Sequence, residues 1–163
     1  MDDIKRSFPP VVDPGTRVLV LGSLPGEESL ARAQYYAHPR NHFWRLIGGV
    51  IGRDLVPLGY EARLEALLAA GVGLWDTVGS AIRRGSLDGN IRGHSANDLA
   101  SLVSALPKLR AVGFNGGKSA SLGIARLAER TDLALIPLPS SSPALTRPFE
   151  EKLAAWMQLA DHL

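Results

Sequence analysis

The sequence predicts an α/β fold: a single three-layer α/β/α domain around a central, mostly parallel four-stranded sheet. Three observations predict it. Short apolar runs without polar alternation, such as "RVLVLG" at Arg17–Gly22, read as strands buried on both faces. Segments with helical spacing alternate with these runs, the order that gives a parallel sheet covered by helices. A chain of 163 residues, 45% hydrophobic and 21% charged, suits one domain with one core, residues 1–163. There is no internal repeat and no linker. Residues 1–16 are either part of the domain or a flexible N-terminal segment, which the sequence leaves open.

The elements follow in order. The first strand is bounded by Pro14-Gly15 before it and Ser23 after it. "YEARLEALLAAG" (Tyr60–Gly71) has apolar residues at helical spacing and a glycine stop, so it reads as a helix. "VGLWDTV" (Val72–Val78) is a second short strand. "SANDLASLVSALP" reads as a helix capped by Ser95 and stopped at Pro107. "RAVGFNG" (Arg110–Gly116) is the third strand, and "KSASLGIARLAER" the helix after it. "LALIPLP" (Leu133–Pro139) is the fourth strand, ended by prolines, and an amphipathic helix runs from Phe149 to about Asp161. Trp44, Trp75 and Trp156 are assigned to the core.

Composition closes several routes. With no cysteine, the chain cannot form disulfides, thiolate metal sites or a cysteine nucleophile. The histidines are His38, His42, His94 and His162, and Pro39 separates the two that lie close, so no metal site and no cofactor is expected. No apolar run approaches the ~20 residues of a membrane span. The N-terminal "MDDIKRS" is acidic where a signal peptide is basic, and the protein is expected in the cytoplasm. A net charge of +2 neither demands nor excludes a nucleic acid. Arg40, Arg45, Arg83, Arg84, Arg92, Lys118 and Arg147 lie in or beside Gly- and Pro-rich stretches, which composition alone reads as solvated faces.

In parallel sheets the ligand crevice lies beyond the carboxyl ends of the strands. This reading places "GSLPGEES", "WDTVGSAIRRGS", "FNGGKS" and "PSSSPALTR" there. The first offers backbone N–H groups at Gly22 and Ser23, yet lacks both the Lys–Ser/Thr ending of a P-loop and a G-x-G-x-x-G spacing. Asn115 is either a base-reading amide or a helix cap. The hydroxyls of "PSSSPALTR" suit a phosphate, and Leu145 beside Arg147 suits a base stack, unless the segment is a plain loop. Asp76 and Asp88 are candidate carboxylates whose pairing spacing does not reveal. No serine sits in a G-x-S-x-G elbow. "QYYAHPRNHFWRLIG" (Gln34–Gly48) crowds two tyrosines, two histidines, Arg40, Asn41, Phe43 and Trp44 into one stretch. It is either a pocket wall or a hydrophobic cap over the sheet, with Asn41 capping the next helix.

The order of these motifs resembles the uracil-DNA glycosylase superfamily. Within it, "GS-x-PG" and "Q-Y-Y-A-H-P-R-N-x-F-W" are similar to the hypoxanthine-DNA (deoxyinosine) glycosylase branch, family 6, over about Arg17 to Arg147. The resemblance implies a monofunctional DNA glycosylase of base excision repair. It would act without cofactor, as a monomer off the membrane, and flip a deaminated base (hypoxanthine first) out of damaged DNA. It makes Asn41 the catalytic residue and Tyr36 the platform under the extracted base. Asn115, with Gly22 and Ser23, would hold the base. Ser140, Ser142 and Pro143 would grip phosphate, Leu145 and Arg147 would fill the gap in the duplex, and Arg40 and Lys118 would lie near phosphates. The chain departs from the sister branches, with Leu24 where the mismatch-specific enzymes carry a catalytic asparagine. Ser23-Leu24 and Ser140 stand where the classical uracil enzymes carry aspartate and histidine. Uracil or xanthine release, or a non-catalytic nucleic-acid-binding module, are therefore the alternatives. A small-molecule hydrolase lacks its nucleophile.

Overall fold

The computed structural model describes residues 4–83 and 85–163. Along the chain come β1 (Ile4–Arg6), β2 (Val18–Gly22), α1 (Glu27–Arg32), α2 (Phe43–Ile51), α3 (Tyr60–Ala69), β3 (Val72–Asp76), β4 (Val78–Ile82) and β5 (Arg92–Ala96). They are followed by α4 (Leu99–Ser104), β6 (Ala111–Asn115), α5 (Gly117–Leu127), β7 (Ala134–Leu138) and α6 (Phe149–Trp156). Turns of 3-10 helix cover Asp88–Asn90 and Met157–His162.

The four apolar runs make one parallel sheet in the order β3-β2-β6-β7, with Val18 opposite both Val72 and Ala111, and Ala111 opposite Ala134. Strand β2 is central, and Val18 through Leu21 have no exposed surface. Its alternation splits the core in two. Val18 and Val20 pack with Phe43, Leu46 and Ile47 of α2 and with Trp156, while Leu19 and Leu21 pack with Leu99, Val103 and Leu127 of α4 and α5. Both faces are therefore covered, as continuous apolar strands require. Helix α5 lies tight on the sheet, because a Cβ at Gly123 would collide with the Phe114 ring. That closeness fixes the start of α5 beside Asn115.

A second, antiparallel sheet, β1-β4-β5, corrects the sequence reading in two places. "WDTVGSAIRRGS" is not simply a loop, since it contains β4, which buries Val78 and Ala81 against Leu24 and Ile91. Ser95 does not cap a helix. It belongs to β5, and the cap of α4 is Asp98, whose Oδ1 accepts from Ser101 N at 3.1 Å. Strand β5 is almost wholly exposed, so it carries no apolar pattern to read. The N-terminal residues join both sheets: β1 pairs with β4, and Val11 bridges Leu74. The last helix tightens to 3-10 geometry after Trp156. Among the described residues no helix is long and apolar enough to cross a membrane.

Candidate active site

A cleft of about 480 Å³ opens where β2, β3, β6 and β7 end, and Gly22, Asp76, Asn115 and Ser140 line it there. Its volume falls within the roughly 300–1,000 Å³ of small-ligand sites. Tyr36, Asn41, the turn Ser140–Leu145 and the segments 23–29 and 86–88 complete the lining.

Tyr36 holds a left-handed backbone, φ 54°, a conformation that non-glycine residues seldom adopt. Two contacts keep it there. Its ring stacks on Phe43 with centroids 3.9 Å apart and 19° between planes, and its carbonyl accepts from Trp44 Nε1 at 3.2 Å. The Tyr36 hydroxyl is buried without a hydrogen-bond partner, and burial, then the Asp76 carboxyl, pushes the phenol up. Neighbouring Tyr35 instead turns into the core and donates to Pro9 O at 3.2 Å.

Asn41 Oδ1 accepts from Phe43 N at 2.9 Å, bracing the start of α2 from one residue before its N-cap, His42, so the capping alternative does not hold as such. Its Nδ2 has no partner among the described residues, so one atom of the amide braces the turn and the other is left to the cleft. His42 N donates to Ser141 O at 2.9 Å, which ties this segment to the loop after β7.

Asn115 is 7% exposed and held at both ends by Ser141: Nδ2 donates to Ser141 Oγ and Oδ1 accepts from Ser141 N, both at 2.9 Å. It caps no helix by its side chain. In the same loop Ser140 Oγ accepts from Ser142 N, and Ser142 Oγ from Ala144 N, each at 3.1 Å. Below it lies a cation that spacing did not bring near any motif. Lys152, with no exposed surface, donates from Nζ to Ser142 O at 3.2 Å. Burial, then Arg147, pulls that ammonium below its ordinary value. Burial, then Lys152 and Arg45, does the same to His42.

The loop after β2 is held from the other sheet. Arg83, 2% exposed, donates from Nε to Gly85 O at 2.7 Å, from Nη1 to Leu24 O at 3.3 Å and from Nη2 to Pro25 O at 2.5 Å. The solvated-face reading therefore fails for Arg83, and Arg84 lies outside the described residues. Ser23 Oγ donates to Asp88 Oδ1 at 2.5 Å, and Glu27 N to Ser86 Oγ at 2.9 Å. Burial raises the Asp88 carboxyl, against the pull of Ser23, Arg83 and Lys118. Asp76, 3% exposed, is pushed up to about 7, chiefly by burial.

Of the residues expected from sequence, Gly22, Ser23, Tyr36, Asn41, Asn115, Ser140, Ser142, Pro143 and Leu145 line the one cleft, whereas Arg40, Lys118 and Arg147 do not. Arg40 and Arg147 are exposed on the surface. Sequence reasoning missed the roles of Arg83, Ser141 and Lys152. Only Ser141 left a signal, as the middle hydroxyl of "SSS". Among the described residues no cluster of histidine and acidic side chains could hold a metal.

Residues 9–160 match the family described as the uracil DNA glycosylase superfamily. The chain is 40% identical over 156 residues to a hypoxanthine DNA glycosylase of Methanosarcina barkeri (strain Fusaro / DSM 804), covering 94% of this chain and 96% of that protein. It is 40% identical over 159 residues to a hypoxanthine DNA glycosylase of Methanosarcina acetivorans, covering 98% and 99%. A solution NMR structure of a Methanosarcina acetivorans protein superposes with a TM-score of 0.87 at 39% identity, over 98% of each chain.

Proposed function

The chain belongs to the uracil DNA glycosylase superfamily, and from that premise we propose that it is a monofunctional DNA glycosylase that releases hypoxanthine from deoxyinosine. The observation that carries this is 40% identity to two hypoxanthine DNA glycosylases over nearly the whole length of each. The cleft supports it physically. A base inside the stack cannot be reached, so it is flipped out at a cost of a few kcal/mol. Stacking on an aromatic side chain returns roughly 1–3 kcal/mol per base. Tyr36, backed by Phe43, supplies that face.

Cleavage of the N-glycosidic bond leaves positive charge on the sugar and negative charge on the base. Asn41 is a poor base, but its free Nδ2 donor suits the departing base or the oxygen of a water. Asn115, Gly22 and Ser23 shape the base pocket. Ser141 holds Asn115 in place with one bond at each end of its amide, which leaves a second Nδ2 hydrogen to offer the base. Ser140, Ser142 and Pro143 meet phosphate, Leu145 and Arg147 enter the gap in the duplex, and Arg40 and Lys118 lie along the backbone. Among the described residues no lysine lines the cleft, which favours hydrolysis over Schiff-base chemistry. A monomer in the cytoplasm completes the proposal, since one chain buries its own core and no cysteine calls for an oxidising compartment.

The test is alkali-revealed strand cleavage of labelled duplexes carrying one deoxyinosine, deoxyuridine or deoxyxanthosine. Hypoxanthine release that falls about 10²-fold or more in Asn41→Ala is expected. Tight lesion binding without release of any base would sink the glycosylase reading.

A further inference from the structure

Asp76 and Asp88 both line the cleft and the proposed chemistry gives neither a task, but Asp88 is held by Ser23, whereas Asp76 keeps one carboxyl oxygen without a donor. Its placement is specific. Asp76 is the last residue of β3 and pairs in parallel register with Gly22, the last residue of β2. A Cβ on Gly22 would lie 2.7 Å from Asp76 Oδ1 and 3.0 Å from Tyr36 Oη, so glycine at this position is what lets both oxygens converge. The other carboxyl oxygen, Oδ2, meets Ser7 Oγ at 3.2 Å, and the Asp76 carbonyl accepts from Asn97 Nδ2 at 2.8 Å. Backbone and one oxygen are thus fixed by the second sheet and the N-terminal segment, with Oδ1 left beside Gly22.

We infer that Asp76 is the acid that protonates the departing purine, a further catalytic residue for the glycosylase reaction proposed above, on which this rests. Hypoxanthine carries an acceptor nitrogen, N7, on the ring that bears the glycosidic bond. As the C1′–N9 bond breaks, its electron pair leaves with the base, and the carboxyl proton passes from Asp76 to N7. The base departs neutral. A water oxygen bonds to C1′, and the proton that water sheds replaces, by way of solvent, the one Asp76 gave up. The Tyr36 hydroxyl, buried and unpartnered at the same point, is the donor that receives the carboxylate left behind. Its ring remains the stacking face.

The surroundings suit an acid at neutral pH. Burial dominates and Asp88 adds to it, whereas Ser7 and Arg83 oppose, and the carboxyl is pushed up to about 7. Tyr35 and Tyr36, the other titratable groups that face it, are themselves raised and stay neutral there. Lys5 on β1 is paired with Glu27 at 3.1 Å. A catalytic acid works best with its pKa near the operating pH.

Single-turnover base release from a deoxyinosine duplex between pH 5 and 9, in wild type and Asp76→Asn, tests this. A duplex carrying 7-deaza-deoxyinosine, which lacks N7, is cut by wild type in parallel. In wild type the rate is expected to fall about tenfold per pH unit above ~7, and Asp76→Asn to be slower by ~10²-fold at pH 6 and to lack that limb. The 7-deaza duplex is expected to be bound but released at least ~10²-fold more slowly than deoxyinosine by wild type, with no further loss in Asp76→Asn. Equal release of the deaza base by wild type, which does not depend on any variant folding, overturns the inference. So does a deoxyinosine rate that is flat with pH. Failure of wild type to release hypoxanthine at any pH overturns the function itself.

Discussion

The two walls of the cleft are built from similar polar side chains and wired differently. On the β6–β7 side, Asn115 and Ser141 satisfy each other twice, and the serines of the loop accept from their own backbone. On the β2–β3 side, Tyr36 Oη has no partner, and Asp76 Oδ1 lies close against Gly22 with no donor of its own. A closed pair of buried amide and hydroxyl holds shape, because any change leaves an orphan. An open atom has something to offer a ligand. Residue type does not distinguish these cases, and partners do.

The sharpest way to break the contrast is to open the closed wall. Asn115→Ala orphans Ser141 N and Oγ, and a loss of roughly 3 kcal/mol is expected from two buried hydrogen bonds. In a chain of this size that lowers the melting temperature by about 6–12 °C in a thermal scan. If Asn115 chiefly reads the base, stability would hardly move while base release collapsed. The strap from the second sheet comes next. Arg83→Met leaves the carbonyls of Leu24 and Pro25 without donors, for which we expect about 2 kcal/mol lost. Faster hydrogen exchange at Glu27 than in the wild type would locate that loss in the loop after β2.

A change on the open wall should act with the opposite sign. Between pH ~4 and ~7 folded Asp76 keeps a proton that the unfolded chain has released, so native stability falls as pH rises through that window. Asp76→Asn removes the charge, so its melting temperature should exceed wild type at pH 8 by an amount worth about 4 kcal/mol, and match it near pH 4. Equal melting curves at pH 8 would show the carboxylate to be well solvated. The smallest effect belongs to the mouth. Leu145 is only half-buried, and Leu145→Ala should cost under about 0.5 kcal/mol of stability while slowing base release several-fold in a paired duplex. An already single-stranded deoxyinosine substrate should hide that defect.

The parallel sheet was readable because its strands are apolar on both faces, and so was the cleft, which such a sheet opens at its carboxyl end. Asn41, Tyr36 and the "SSSPAL" turn came from motif order. The second sheet was not readable. Strand β5 is exposed and β4 pairs with register shifts, so neither shows a period. Arg83 and Lys152 were hidden for a related reason. A cation that serves backbone carbonyls, 58 or 59 residues away for Arg83 and 10 for Lys152, has no local pattern to mark it. Asp76 was noticed as a carboxylate, but its neighbours Ser7 and Gly22 lie far off in sequence.

Lys152 has a practical consequence. The chain has four lysines, Lys5, Lys108, Lys118 and Lys152, and a reagent that acylates amines should find them at very unequal rates. Lys108 stands in solvent, whereas Lys152 Nζ is shut beneath the Ser142 carbonyl. Its modification must wait for the 140–144 turn to lift away from α6. The labelling rate of this one amine, read by mass spectrometry with Lys108 as the internal clock, thus times the breathing of the turn proposed to meet the phosphate.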